Sequence, residues 1–194
     1  SPKNTAPAIF LAAMQLAEVN PKRLLLVLPS DHHIPNSEEF LRTVVKGVEA
    51  AKTGSVVTFG IKPTHPEIGF GYIETDATEN SWMRVKAFHE KPTLHLAKEF
   101  QTNENYLWNA GIFLCRADTV INMIKTHVPK IYEQLTNAFY NAVEETPYVN
   151  INSEYWLDCP SKSFDVAVME KEKNIVCVPF IGEWSDLGTL ESFC

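Results

Sequence analysis

Two aspartates stand in short polar motifs that each follow an apolar run: Asp31 in Pro29-Ser30-Asp31-His32-His33, and Asp186 in Trp184-Ser185-Asp186-Leu187-Gly188. Short carboxylates so placed suit a hard cation such as Mg²⁺, which takes one or two carboxylates and fills its shell with phosphate oxygens and water. If both runs are strands ending at one sheet edge, where open α/β sheets bind ligands, Asp31 and Asp186 form a two-carboxylate cation site. The plainer reading of Asp31 is a residue that turns or caps its loop. His32 and His33 are adjacent and point opposite ways on an extended backbone. They read as hydrogen-bonded or solvated loop histidines rather than two ligands of one metal.

Four other groups of residues could meet a polar substrate. In Gly69-Phe70-Gly71-Tyr72 the glycines let the backbone approach a ligand closely, although a bulge or turn explains Gly71 equally well. The third glycine of a dinucleotide fingerprint is missing, and a strand pattern rather than a helix follows. Phe88-His89-Glu90-Lys91-Pro92 supplies an acceptor that can take two vicinal hydroxyls and a cation that can meet a phosphate as a point charge, with a surface ion pair as the alternative. Asn109, in Trp108-Asn109-Ala110-Gly111, can donate and accept beside small residues, or serve as a buried turn amide. Asp165 begins a short helix and is equally a partner for its dipole.

The elements that must hold these residues alternate between helix and strand. Ile9, Ala13, Leu16 and Ala17 recur at helical spacing over residues 5–20, with Thr5 placed to cap and Asn20-Pro21 to stop. Residues 23–28 read as a strand buried on both faces of a parallel sheet. Ser37 is placed to cap a helix with Glu38 and Glu39 in its first turn and Phe40, Val44 and Val48 on one face, closed by Gly54. A strand over 55–61 follows. Residues 69–75 and 82–90 read as an antiparallel pair joined by the polar stretch 76–81. Helices are expected over 93–100, 117–125 and 130–143, a strand over 109–115, a short helix capped by Ser163 running to Lys171, and a last strand over 174–181.

Composition narrows the field. The 194 residues carry 17 basic and 24 acidic side chains, a net charge of −7, with 45% apolar residues. That is the balance of a soluble globular chain with a real core, and its length suggests one domain over 1–194. No basic footprint for nucleic acid exists, and no apolar run approaches the roughly 20 residues that span a bilayer. Cys115, Cys159, Cys177 and Cys194 form no C-x-x-C pair and read as buried thiols of a cytoplasmic protein.

Taken in order, Asn4-Thr5-Ala6-Pro7-Ala8, Pro29-Ser30-Asp31-His32, Gly69-Phe70-Gly71-Tyr72-Ile73-Glu74, Phe88-His89-Glu90-Lys91-Pro92, Trp108-Asn109-Ala110-Gly111-Ile112-Phe113, residues 163–171 and Trp184-Ser185-Asp186-Leu187-Gly188 strongly resemble the bacterial mannose-1-phosphate guanylyltransferases of the sugar nucleotidyltransferase family. The resemblance implies an α/β fold of the Rossmann-like nucleotidyltransferase (GT-A-like) kind, a three-layer mixed sheet with helices on both faces. It implies Mg²⁺ as cofactor and the reaction of GTP with α-D-mannose 1-phosphate to give GDP-mannose and pyrophosphate. Asp31 and Asp186 are then the metal ligands, Gly71 and Asn109 contacts to the sugar, Glu90 the acceptor of its hydroxyls and Lys91 the cation on its phosphate, with Asp165 supporting the pocket. The expected partners are these substrates, with a homodimer as the one protein partner entertained. A pyrophosphorylase for another sugar and nucleotide is the nearest rival, and a non-catalytic sugar-phosphate-binding domain the rival from outside enzymes.

One element of that family is missing. No G-x-G-x-R loop to cradle a triphosphate occurs, and the eight glycines leave no place for one. The opening Ser1-Pro2-Lys3-Asn4-Thr5 reads as a cut edge, so these residues are expected to be part of a longer polypeptide and to have little transferase activity alone.

Overall fold

The computed structural model describes residues 2–76, 81–145, 148–151 and 153–187. In chain order the first elements are α1 (Thr5–Val19), β1 (Leu24–Val27), β2 (His32–His33), α2 (Ser37–Lys52), β3 (Val56–Ile61), β4 (Tyr72–Thr75), β5 (Met83–His89) and α3 (Leu94–Gln101). There follow β6 (Tyr106–Arg116), α4 (Ala117–His127), α5 (Pro129–Tyr140), β7 (Val143–Glu145), β8 (Tyr148–Asn150), α6 (Ser153–Asp158), a π-helical turn (Asp165–Met169), β9 (Ile175–Phe180) and β10 (Ser185–Asp186). The chain divides into two compact units, Ser1–Leu25 with Arg116–Glu172, and Leu26–Cys115 with Lys173–Cys194. No helix among the described residues is long and apolar enough to cross a membrane.

The second unit is built on a six-stranded sheet ordered β1-β6-β3-β9-β5-β4, in which β4 also pairs with β6. β3 and β9 run parallel, from Val56 opposite Ile175 to Ile61 opposite Phe180, and the remaining pairs whose register is defined are antiparallel. All six residues of β3 are buried, as a largely apolar strand at the middle of a sheet should be, and Thr58 is its one polar side chain. α2 covers part of this sheet by setting Phe40 against Phe59 and Phe180, with ring centroids 6.1 and 5.8 Å apart. Ile73, Leu107 and Cys177 form a core cluster on which Met83, Val85 and Phe88 pack. The mixed α/β fold and the antiparallel β4–β5 pair are as expected; residues 77–80 of the polar connector lie outside the described residues.

β1 differs from its expectation. Among the described residues it lies at the sheet edge, all four of its residues are only partly buried, and Leu28 beyond it is 52% exposed. An unbroken aliphatic run reports affinity for apolar surroundings, not the number of neighbouring strands. The helix caps also move by one residue. Asn36, not Ser37, accepts the Glu39 N–H at 3.1 Å and caps α2. Asn4 occupies the cap position of α1, while Thr5 accepts the Phe164 N–H at 2.8 Å.

The first unit is helical. α1 buries Ile9, Phe10 and Ala13 and packs on α4 and α5, and Phe10 meets Tyr132 edge-on at 5.8 Å. The Ser163 hydroxyl accepts the Val166 N–H at 3.3 Å, the cap expected there. The turn that follows is wound wider than an α-helix, with the Glu170 N–H donating to the Asp165 carbonyl at 3.1 Å. Cys115, Cys159 and Cys177 are buried free thiols, and burial pushes Cys115 and Cys177 up to about 12; Cys194 lies outside the described residues.

Candidate functional site

The sequence motifs of the sheet unit gather into two groups, and short-range backbone pairing creates the first. β2 and β10, two residues each, pair antiparallel so that Asp186 lies opposite His32 and Ser185 opposite His33. The ladder extends one step, because the Leu187 N–H donates to the Asp31 carbonyl at 2.9 Å. Asp31 and Asp186, distant in sequence, thereby stand at adjacent rungs, with Asp31 exposed and Asp186 half-buried. Both carboxylates act on His32. Burial lowers its pKa, and the charges of Asp186 and Asp31 oppose that shift without cancelling it. The Trp184 indole N–H donates to His32 Nδ1 at 3.2 Å, so that nitrogen is an acceptor and the ring's own proton sits on Nε2. His33 is exposed, so the two histidines do part company as the extended backbone requires.

The second group forms around Gly71. A Cβ at that position would stand 2.7 Å from Glu90 Oε2 and 3.6 Å from Asn109 Cβ, so the missing side chain leaves the space that the Glu90 carboxylate occupies beside Asn109. Gly71 and Asn109 are also joined through their backbones, with the Asn109 N–H donating to the Gly71 carbonyl at 2.8 Å. Long strands deliver these residues. β4 and β5 pair Tyr72 with His89, which sets Gly71 and Glu90 at matching ends, and β6 passes alongside with Trp108 opposite Tyr72. Lys91 follows with its side chain exposed and its backbone at φ 45°, a left-handed conformation that is uncommon for a residue with a Cβ, and more so before a proline.

β6 reaches this place only through an irregularity. Its pairing with β3 runs from Phe113 opposite Thr58 to Asn109 opposite Gly60, two more residues on β6 than on β3. The bulge includes Gly111, at φ 65°. Its N–H turns back to donate to Asn109 Oδ1 at 3.1 Å, and the Thr58 hydroxyl donates to the same oxygen at 3.2 Å.

Aromatic rings link the two groups. Phe70 meets Trp184 and Trp108 edge-on, both with centroids 5.4 Å apart, and Trp184 meets His32 at 5.1 Å. Beside them opens a cleft of about 470 Å³ lined by Lys62, Trp108, Phe180, Glu183 and Trp184, among others. Asp165 belongs to the helical unit, where it stands half-buried on the first turn of the π-helix. The structure thus brings Asp31 to Asp186, and Gly71 to Glu90 and Asn109, with Lys91 next to Glu90 in the chain. Gly188 lies outside the described residues. Sequence reasoning missed Thr58, Phe70 and Trp184 as parts of the site. A hydroxyl as the one polar side chain in the buried run Val56–Ile61 was the available signal for Thr58.

A family model described as nucleotidyl transferase matches residues 1–194. A mannose-1-phosphate guanylyltransferase of Salmonella montevideo is 40% identical over 98% of this chain and 41% of its own length. Two solved structures each give a TM-score of 0.86 at 32% identity. One, a mannose-6-phosphate isomerase from Helicobacter pylori, is matched over 96% of this chain and 72% of its own; the other, a mannose-1-phosphate geranyltransferase from Thermus thermophilus, over 99% and 54%. The chain spans about two fifths of the length of the curated relatives it matches.

Proposed function

Given that this chain belongs to the nucleotidyl transferase family, we propose that its protein is a mannose-1-phosphate guanylyltransferase, which transfers GMP from GTP to α-D-mannose 1-phosphate and releases pyrophosphate. The observation that carries this reading is the Glu90 carboxylate seated over Gly71 beside Asn109. An acceptor and a carboxamide converging where a side chain has been left out are the groups that read vicinal hydroxyls. The choice of mannose and guanosine rests on curated relatives of that name at 34 to 40% identity. The reading carries with it a cytoplasmic location and small-molecule substrates.

The nucleophile in this reaction is already an anion, so the protein needs neither a general base nor a nucleophile of its own. It must place the sugar phosphate in line with the α-phosphorus and offset negative charge there. Glu90 accepts from the sugar hydroxyls, Asn109 contacts the sugar beside it, and the Lys91 ammonium meets the sugar phosphate. Asp31 and Asp186 are the residues that would hold Mg²⁺. Their donor set is of the right chemistry, since oxygen donors suit an ion that takes its remaining oxygens from phosphate and water, and both carboxylates lie close enough to His32 for their charges to act on it. Among the described residues no cluster of three or more ligating side chains makes a closed cage instead. When bound, such an ion neutralises phosphate oxygens and stabilises the charge that develops in transfer.

The test is pyrophosphate release by the whole protein from GTP, mannose 1-phosphate and Mg²⁺, with glucose 1-phosphate and UTP as the competing substrates. We expect the mannose and guanosine pair to be preferred at least about 100-fold in kcat/KM, the discrimination available when a site built for one hydroxyl pattern meets another. Preference for the other pair overturns the assignment. Calorimetric titration of this chain with mannose 1-phosphate should give binding that Lys91→Ala weakens.

A further inference from the structure

We propose that Thr58 is a positioning residue for the sugar: with the Gly111 N–H it fixes the Asn109 carboxamide in one orientation, its oxygen turned toward Thr58 and its Nδ2 end away from it. This rests on the reading of Asn109 as a sugar contact.

A carboxamide is nearly symmetric in shape, and a half-turn about its last torsion exchanges an acceptor for two donors. Packing cannot decide between the two orientations; hydrogen-bond partners must. Here the decision is made by an atom with one role. The Gly111 backbone N–H can only donate, and at 3.1 Å from the Asn109 side chain it requires oxygen at that end. Thr58 Oγ1, 3.2 Å from the same oxygen, then donates as well and occupies the second lone pair. Thr58 is fully buried, in a strand whose other members are Val56, Val57, Phe59, Gly60 and Ile61, where valine would pack as well. A hydroxyl there is spent on Asn109.

The backbone is shaped to the same end. The bulge in β6 brings Asn109 back to the level of Thr58, and the positive φ of Gly111 turns its N–H toward the side chain two residues earlier. With its oxygen held by two donors, the Asn109 carboxamide cannot make the half-turn that would exchange its two ends. The carboxamide beside the Glu90 carboxylate therefore keeps one orientation, and a sugar contact made through Asn109 depends on it. Thr58 serves sugar binding without touching the sugar.

The experiment uses the whole protein and follows KM for mannose 1-phosphate and for GTP separately in Thr58→Val, Thr58→Ser, Asn109→Ala and the Thr58→Val/Asn109→Ala double variant. Thr58→Val should raise KM for mannose 1-phosphate about fivefold to tenfold, the scale of one net hydrogen bond, with kcat and KM for GTP within about twofold. Thr58→Ser should restore it. The double variant should be no worse than Asn109→Ala alone, because Thr58 acts only through that side chain. Unchanged KM in Thr58→Val while Asn109→Ala raises it overturns the positioning role, as does a loss confined to kcat or one that adds in full to Asn109→Ala. Unchanged KM in Asn109→Ala instead overturns the reading of Asn109 itself, so the two failures are told apart. If Thr58→Val does not fold, Thr58→Ala against Thr58→Ser makes the same comparison.

Discussion

The two halves of the site are built to different standards. Asp31 and Asp186 are held by strands of two residues each, at the surface, with one further backbone bond between them. Gly71, Glu90 and Asn109 are delivered by strands of up to eleven residues, with a bulge and a buried hydroxyl spent on the orientation of one amide. The difference follows what each half must recognise. Attraction between a carboxylate and a cation is long-ranged and tolerates small errors of angle, whereas telling one hydroxyl arrangement from another demands fixed donors and acceptors.

If that contrast is right, charge dominates on one side and geometry on the other. The largest effect should come from removing charge without changing shape: Asp31→Asn or Asp186→Asn should each lower turnover of the whole protein by roughly 10²–10³, with thermal stability nearly unchanged. Near-normal turnover at limiting Mg²⁺ would break the comparison on its electrostatic side. Next comes Gly71→Ala, which keeps every charge but places a methyl 2.7 Å from Glu90 Oε2. Displacing that carboxylate should raise KM for mannose 1-phosphate roughly 10- to 100-fold, and an unchanged KM would mean that the position of Glu90 does not matter.

Smaller effects sharpen the contrast. Lys91→Ala removes the charge and keeps the strained backbone, whereas Lys91→Gly removes both. Both should weaken sugar-phosphate binding by about fivefold to tenfold, but only the glycine variant should offset that with up to about 1 kcal/mol of added stability, measured by denaturant titration. Equal stability in the two would show that the left-handed conformation costs nothing there. Smallest is Tyr72→Phe. Tyr72 is fully buried and its hydroxyl has no partner among the described residues, so removing it should stabilise the protein by about 1 kcal/mol and leave KM alone. A raised KM would instead mark Tyr72 as a second buried hydroxyl that serves the site, like Thr58.

Much of this was legible in order and kind. The polar motifs at strand ends, the helical spacing of Ile9 and Ala13, and the strand over 55–61 all report local preferences, and local preference decided them. What was not legible depends on partners far away in the chain. The edge position of β1 depends on which strands lie beside it. The aim of Asn109 depends on a bulge whose only trace is Gly111, one small residue among several. The caps were off by one because Asn36-Ser37 and Asn4-Thr5 each offer two capping side chains in succession, and the choice between them was made by a helix start that propensity does not resolve. The meeting of Asp31 with Asp186 was readable only as a condition, since two-residue strands carry no periodicity.

The parallel pairing of β3 with β9 bears on how the chain reaches this state at all. Its partners are far apart in synthesis: Ser55 donates to Asn174 Oδ1 at 3.0 Å across 119 residues. At the usual ribosomal pace of 5–20 residues per second, β3 waits about 6 to 24 s for its neighbour to be made. For that interval a six-residue strand with one polar side chain has an open flank, and the helices of the other unit are being completed in the meantime. Such long-range closure is slow even when the chain is whole. The ribosome-bound chain should therefore depend on chaperone capture over β3 more than over any helix, and newly made protein should be most prone to aggregate before residue 180 emerges.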